Sequence, residues 1–165
     1  MEYIIEGYPQ FTRDVTELWK CLITTYNFTV KEKSWEETQL ISNKCVIKLL
    51  LNSDQTISYF FINPESKQQY ESTLLYLFFK KPFDRVLVGD KNYPISSERW
   101  IELYAEDNFQ AICRIDLLLL KEEILNHWKN ILNGDFSFEE DYIKWYEDYI
   151  KNKPEDNHDW DSIID

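Results

Sequence analysis

The 165-residue sequence predicts an α+β fold: an N-terminal helix on a sheet of 3–4 antiparallel strands, followed by a mainly helical C-terminal half. Three observations carry this expectation. Apolar residues recur at helical spacing over residues 11–26. Between Phe28 and Pro64 the apolar period shortens to two. Beyond Pro94 it returns to the helical period.

The first element is the clearest. Phe11, Val15, Leu18, Trp19, Leu22, Ile23 and Tyr26 fall on one face of an amphipathic helix, and Pro9 stands just ahead of it. FTVKEKSW then alternates weakly, and ETQLIS, CVIKLLL and TISYFFI are rich in β-branched and aromatic residues. The polar NSDQ between the last two reads as a hairpin turn. ESTLLYLFFKK (residues 71–81) has a run that fits a buried strand or a short helix. The preceding ESKQQYE is poor strand sequence, which favours the helix, ended by Pro82. FDRVLVGDKNYPI reads as a short strand with a turn at Gly89-Asp90.

Ser97, Trp100, Leu103 and Tyr104 begin a further helix. Ile112, Ile115, Leu119, Leu125, Trp128 and Leu132 mark the next, with Asn133-Gly134 as its C-cap. Ser137 with Glu140 three residues on fits a capping box opening the last helix. Residues 1–150 are expected to form one domain, and residues 151–165 a flexible acidic tail.

Composition excludes some functions. With 3 Gly there is no G-x-G-x-x-G and no Walker A pattern, so no Gly-rich phosphate cradle is expected. The formal charge of −12 repels nucleic-acid phosphates and anionic lipid and attracts basic proteins. From Asp135 onward stand 11 acids and 3 lysines, so −8 of that charge lies in under a fifth of the chain. The longest apolar runs, LLYLFF and LLLL, are too short to span a bilayer, and MEYIIEGYPQ lacks the features of a signal peptide. Cys21, Cys45 and Cys113 each lie in an apolar setting with no C-x-x-C, which suits buried free thiols in a reducing cytoplasm.

Catalytic signals are sparse. His127 follows Glu123 by four residues, which supplies two ligands at most and reads as a solvated pair. His158-Asp159-Trp160-Asp161 lacks the Gly turn and distal Glu of a calcium loop. A Cys-His nucleophile would need a thiol from an apolar pattern, where reactivity is low. Glu36-Glu37, Glu122-Glu123 and Glu139-Glu140 are sequence neighbours, which on a helix point about 100° apart. No metal, cofactor or catalytic residue is expected, and the reading is non-enzymatic.

The strongest signal is FSFEEDYIKWYEDYI, Phe136 to Ile150, with six aromatic residues and five carboxylates. On a helix Phe138, Tyr142, Trp145 and Tyr149 form one stripe, and Ile143, Tyr146 and Ile150 form a second beside it. Glu140–Lys144 and Glu147–Lys151 are spaced for intrahelical ion pairs. Packing one stripe inward accounts for a helix of this kind. The second stripe exceeds that need, and Tyr and Trp are favoured in protein interfaces. The partner-binding candidates are therefore Glu139, Tyr146, Glu147 and Asp148, with Glu155, Asp156, Asp159, Trp160 and Asp161 beyond the helix.

In size, acidity and the aromatic-acidic run ILNGDFSFEEDYIKWYEDYI, the chain resembles small acidic bacterial immunity proteins. That resemblance implies a cytoplasmic protein that binds and neutralises a basic, nuclease-type toxin. Three other classes compete: a nucleic-acid mimic that inhibits a DNA-binding enzyme, an α+β enzyme, and a homo-oligomer that buries the surplus aromatic face.

Overall fold

The computed structural model describes residues 10–53, 56–81, 95–106 and 108–153. It divides into two units, Met1–Asp135 and Phe136–Asp165. The first unit has the expected α+β order. Helices α1 (Phe11–Leu18) and α2 (Lys20–Thr25) precede strands β1 (Thr29–Glu32), β2 (Glu37–Ile41), β3 (Val46–Leu51), β4 (Ile57–Ile62) and β5 (Gln69–Glu71). Helices α3 (Ser72–Phe79), α4 (Ser97–Ala105), α5 (Phe109–His127) and α6 (Lys129–Leu132) follow.

All strand pairs are antiparallel, in the order β1-β2-β3-β4-β5. The register explains the alternation. One face carries the cross-strand rows Thr38–Leu49–Tyr59 and Leu40–Ile47–Phe61–Tyr70, all buried. The opposite face carries Gln39–Lys48–Phe60–Glu71, half-buried, with Lys48 Nζ 4.5 Å from the Phe60 ring centroid. The fifth strand was not expected. Its polar sequence pairs because Tyr70, fully buried, is set opposite Phe61 in the core row.

Helices cover the buried face. Helix α1 packs on β1, β2 and α5, α3 packs on β4 and β5, and α5 packs on β4. The expected helix over residues 11–26 is divided at Trp19, which sits between α1 and α2 with φ −101° and ψ 13°. Its indole is fully buried and donates from Nε1 to the Leu117 carbonyl at 2.8 Å. Nearby, Arg114 on α5 bonds Asp14 at 2.6 Å and Glu17 at 2.9 Å, and Lys121 Nζ donates to the Leu18 carbonyl at 3.2 Å. These long-range contacts join α1 to α5.

Residues 71–81 contain the favoured helix, ended by Lys80 in the left-handed region at φ 52°. The expected strand and turn over 82–94 lie outside the described residues. The helix expected through Ile112, Trp128 and Leu132 is divided at Trp128 into α5 and α6, and its Asn133-Gly134 stop ends α6. Gly134 has φ 91°, its N–H donates to the Ile131 carbonyl, and Asp135 N–H donates to the Asn130 carbonyl, both at 2.9 Å. This pair of bonds is the Schellman pattern. A Cβ on Gly134 would also lie 3.3 Å from Lys44 Cβ.

The second unit contains α7 (Glu139–Asn152). The helix begins one residue later than the capping box at Ser137 implies: the N-cap position is Phe138, which makes no side-chain cap bond. The chain first turns through Phe136, whose carbonyl accepts from Glu139 N–H at 3.1 Å, and that turn delays the helix start.

Candidate protein-docking surface

Two clusters of aromatic and acidic side chains stand out, one in each unit. The interior cluster lies between β4 and α5. Tyr59 Oη donates to Glu123 Oε1 at 2.8 Å and accepts from Trp128 Nε1 at 3.1 Å. All three residues are buried. This corrects the solvated Glu123–His127 pair of the sequence reading. The carboxylate turns inward to a tyrosine 64 positions earlier, a partner that helical spacing does not reveal. Burial, first, and then the Glu123 charge push the Tyr59 phenol well above its ordinary value. His127 stacks edge-on to Tyr76 at 5.4 Å, and its carbonyl accepts from Lys81 Nζ at 3.3 Å. A buried phenol held neutral between a carboxylate and an indole N–H is a satisfied core network.

The thiols divide differently from expectation. Cys45 and Cys113 are buried, but Cys21 is exposed because it points outward from α2. Burial pushes both buried thiols up to about 12, with Asp116 and Asp14 adding to the effect at Cys113. At neutral pH both buried thiols are therefore held in the protonated, weakly nucleophilic form. Among the described residues no group of three or more His, Cys, Asp or Glu side chains is arranged to hold a metal. Among them, too, no helix is long and apolar enough to cross a membrane.

The second cluster is α7 itself. Its first stripe is the less exposed: Tyr142 is 5% exposed, and Phe138, Trp145 and Tyr149 are half-buried. The rings run in contact along the helix, Phe138 to Tyr142 at 6.3 Å, Tyr142 to Trp145 at 5.6 Å and Trp145 to Tyr149 at 5.1 Å. The second stripe faces outward. Ile143 is 46%, Tyr146 38% and Ile150 54% exposed. The Tyr146 ring lies parallel to Tyr142 at 6.1 Å, so an inner ring braces the outer one.

No family model, curated protein or solved structure matches the chain.

The acids border the outer stripe unevenly. At about 100° per residue, Glu139 falls in the same arc as the three apolar residues, and Glu147 and Glu140 lie within about 60° of Ile143 on one side. Asp148 is exposed but lies about 140° round from Ile143. Among the described residues neither Glu140–Lys144 nor Glu147–Lys151 closes to ion-pair distance, which corrects the expected pairing. Surface pairs of this kind are worth little, so their side chains are not held together. Of the candidate residues, the helix thus gathers Glu139, Tyr146 and Glu147 on one surface and sets Asp148 apart. Glu155, Asp156, Asp159, Trp160 and Asp161 lie outside the described residues. Ile143, Ile150 and Glu140 belong to this surface but were not among the candidates. Their positions in the second stripe and beside it were the signal that could have included them.

Proposed function

We propose that the protein is a non-enzymatic binding module that docks a basic protein through the acidic outer face of α7. One observation carries this reading: three exposed apolar side chains in line, with the exposed Glu140 and Glu147 nearer to them than Lys144 and Lys151 on the same flank and closed in no ion pair with those lysines. Exposed apolar area of this kind marks an interaction site when its rim is polar. Carboxylates on the rim raise the rate of encounter with a cationic surface. The resemblance to acidic immunity proteins supplies the class of partner, a basic nuclease-type toxin whose phosphate-binding surface the acids would occupy. The expected place of action is the cytoplasm. Three apolar residues in line fit this reading better than a nucleic-acid mimic, which needs carboxylates spaced like phosphates.

The test is calorimetric titration of the intact chain with a basic nuclease-type toxin domain at low and high salt. Binding should weaken as salt rises, and should weaken further in a Glu140→Gln/Glu147→Gln variant. Binding that ignores both changes, or no binding to basic proteins at all, would overturn the reading.

A further inference from the structure

We infer that Asn133 is a site of spontaneous covalent modification: deamidation through a cyclic imide closed by the Gly134 backbone nitrogen, held off while the C-cap of α6 is formed and released when that turn opens. Asn133 belongs to the first unit and not to the α7 surface. The sequence picks out the pair, because of Gly7, Gly89 and Gly134 only the last follows an asparagine. Ring closure needs the backbone nitrogen of the next residue to reach the asparagine side-chain carbon. A glycine leaves that nitrogen unshielded, since it has no Cβ. Asn133 is exposed, so water and hydroxide reach its amide.

The reaction needs only water and base. The Gly134 nitrogen gives its proton to solvent base and attacks Asn133 Cγ. The N–Cγ bond forms, the Cγ–Nδ2 bond breaks, and Nδ2 leaves as ammonia with a proton taken from water. Water then adds to one of the two ring carbonyls and reopens the ring. Opening at the side-chain carbonyl gives aspartate. Opening at the backbone carbonyl gives isoaspartate, with a methylene added to the main chain.

In the folded cap both reacting nitrogens are engaged. The Gly134 N–H donates to the Ile131 carbonyl at 2.9 Å, and Asn133 Nδ2 donates to the Lys129 carbonyl at 3.0 Å. Asn133 sits at φ −86° and ψ 3°, which turns the Gly134 nitrogen well out of the plane that a five-membered ring needs. These bonds must break and ψ must rotate before the ring can close. The Asp135 N–H bond to the Asn130 carbonyl opens with them, as the other half of the same Schellman pair. The rate of modification therefore follows opening of one turn, an event smaller than global unfolding. Either product then weakens the cap that protected it, because a carboxylate replaces the Nδ2 donor and sets an acceptor against the Lys129 carbonyl. Asn52 is the internal comparison: Ser53 follows it, and its Nδ2 donates to Thr56 and Ser58 hydroxyls.

The test incubates the intact protein at mildly alkaline pH in native buffer, in urea below the unfolding transition and in urea above it. Released ammonia and enzymatic methylation of isoaspartate follow the reaction, and peptide mass mapping assigns the residue. In the unfolded chain Asn133 should react ahead of Asn52, and Gly134→Ala should slow it there, where the cap plays no part. In native buffer Asn133 should react at least about tenfold more slowly than in the unfolded chain. Urea below the transition should raise its rate before the fold is lost. No reaction at Asn133 in the unfolded chain, or Asn52 reacting as fast, would overturn the site. Equal rates in the folded and unfolded chains would overturn protection by the cap. A rate in urea below the transition equal to that in native buffer would overturn release by local opening.

Discussion

Tyr59 and Tyr146 show the same side chain used in opposite ways. In the first unit Tyr59 is fully buried, donates to Glu123 and accepts from Trp128. In the second, Tyr146 stands 38% exposed between Ile143 and Ile150. The carboxylates differ likewise: Glu123 is bonded inside, whereas Glu147 lies on the surface. Aromatic and acidic residues together do not therefore denote a binding surface. In the interior their polar tips close on one another and serve the fold. On α7 the rings pack as a ladder along one side and leave an apolar line with acids beside it on the other.

The contrast predicts a graded set of stability effects, measured by urea denaturation. The largest belongs to Trp128→Ala, which empties the centre of the interior cluster and removes a donor. It should cost about 3–5 kcal/mol. Tyr59→Phe keeps the ring but takes an acceptor from the Trp128 indole and a donor from Glu123, and should cost about 1–3 kcal/mol. Gly134→Ala imposes a Cβ on a left-handed residue and crowds Lys44, for a loss of about 1 kcal/mol. Ile143→Ser should change stability by no more than about 0.5 kcal/mol, and Tyr146→Ser, which loses its stack on Tyr142, by about 1 kcal/mol. A loss of several kcal/mol in either α7 variant would erase the distinction between the two regions.

Titration sharpens the same comparison. Cys45 and Cys113 have their folded values raised from 9 to about 12, so the folded state holds those protons more tightly. Their contribution to stability is complete below pH 9 and is lost as pH rises towards 12. Urea midpoints at increasing alkaline pH should fall, and fall less in Cys113→Ala compared with its own neutral value. At the other end, bonding and charge from Arg114 lower Glu17 below 4.5. That contribution is present above pH 4.5 and disappears as pH falls through the lowered value. Iodoacetamide should label Cys21 in the folded protein and reach Cys45 and Cys113 only on unfolding.

Much of the fold was legible because it rests on local period. The helical spacing of Phe11, Val15, Leu22 and their neighbours, the alternation of CVIKLLL and TISYFFI, and the Asn133-Gly134 stop depend on residues close in sequence. What escaped depends on distant ones. Gln69–Glu71 is a strand because Tyr70 meets Phe61, and Glu123 turns inward because Tyr59 is there to receive it. Trp19 interrupts its helix while its indole reaches Leu117, 98 positions away. The site divides in the same way. Helical spacing separates two stripes on α7, but spacing alone does not say which faces out. That distinction brings Ile143 and Ile150 onto the candidate surface beside Tyr146.

The most direct test of the docking claim is a paired measurement on one variant. Affinity for the basic nuclease-type toxin domain and the urea midpoint are compared between the intact chain and Ile143→Ser/Ile150→Ser. The account predicts about a tenfold loss of affinity with the midpoint unchanged, since it assigns the two exposed isoleucines to a partner and not to the fold. Unchanged affinity, or a loss of affinity matched by loss of folding, would contradict it.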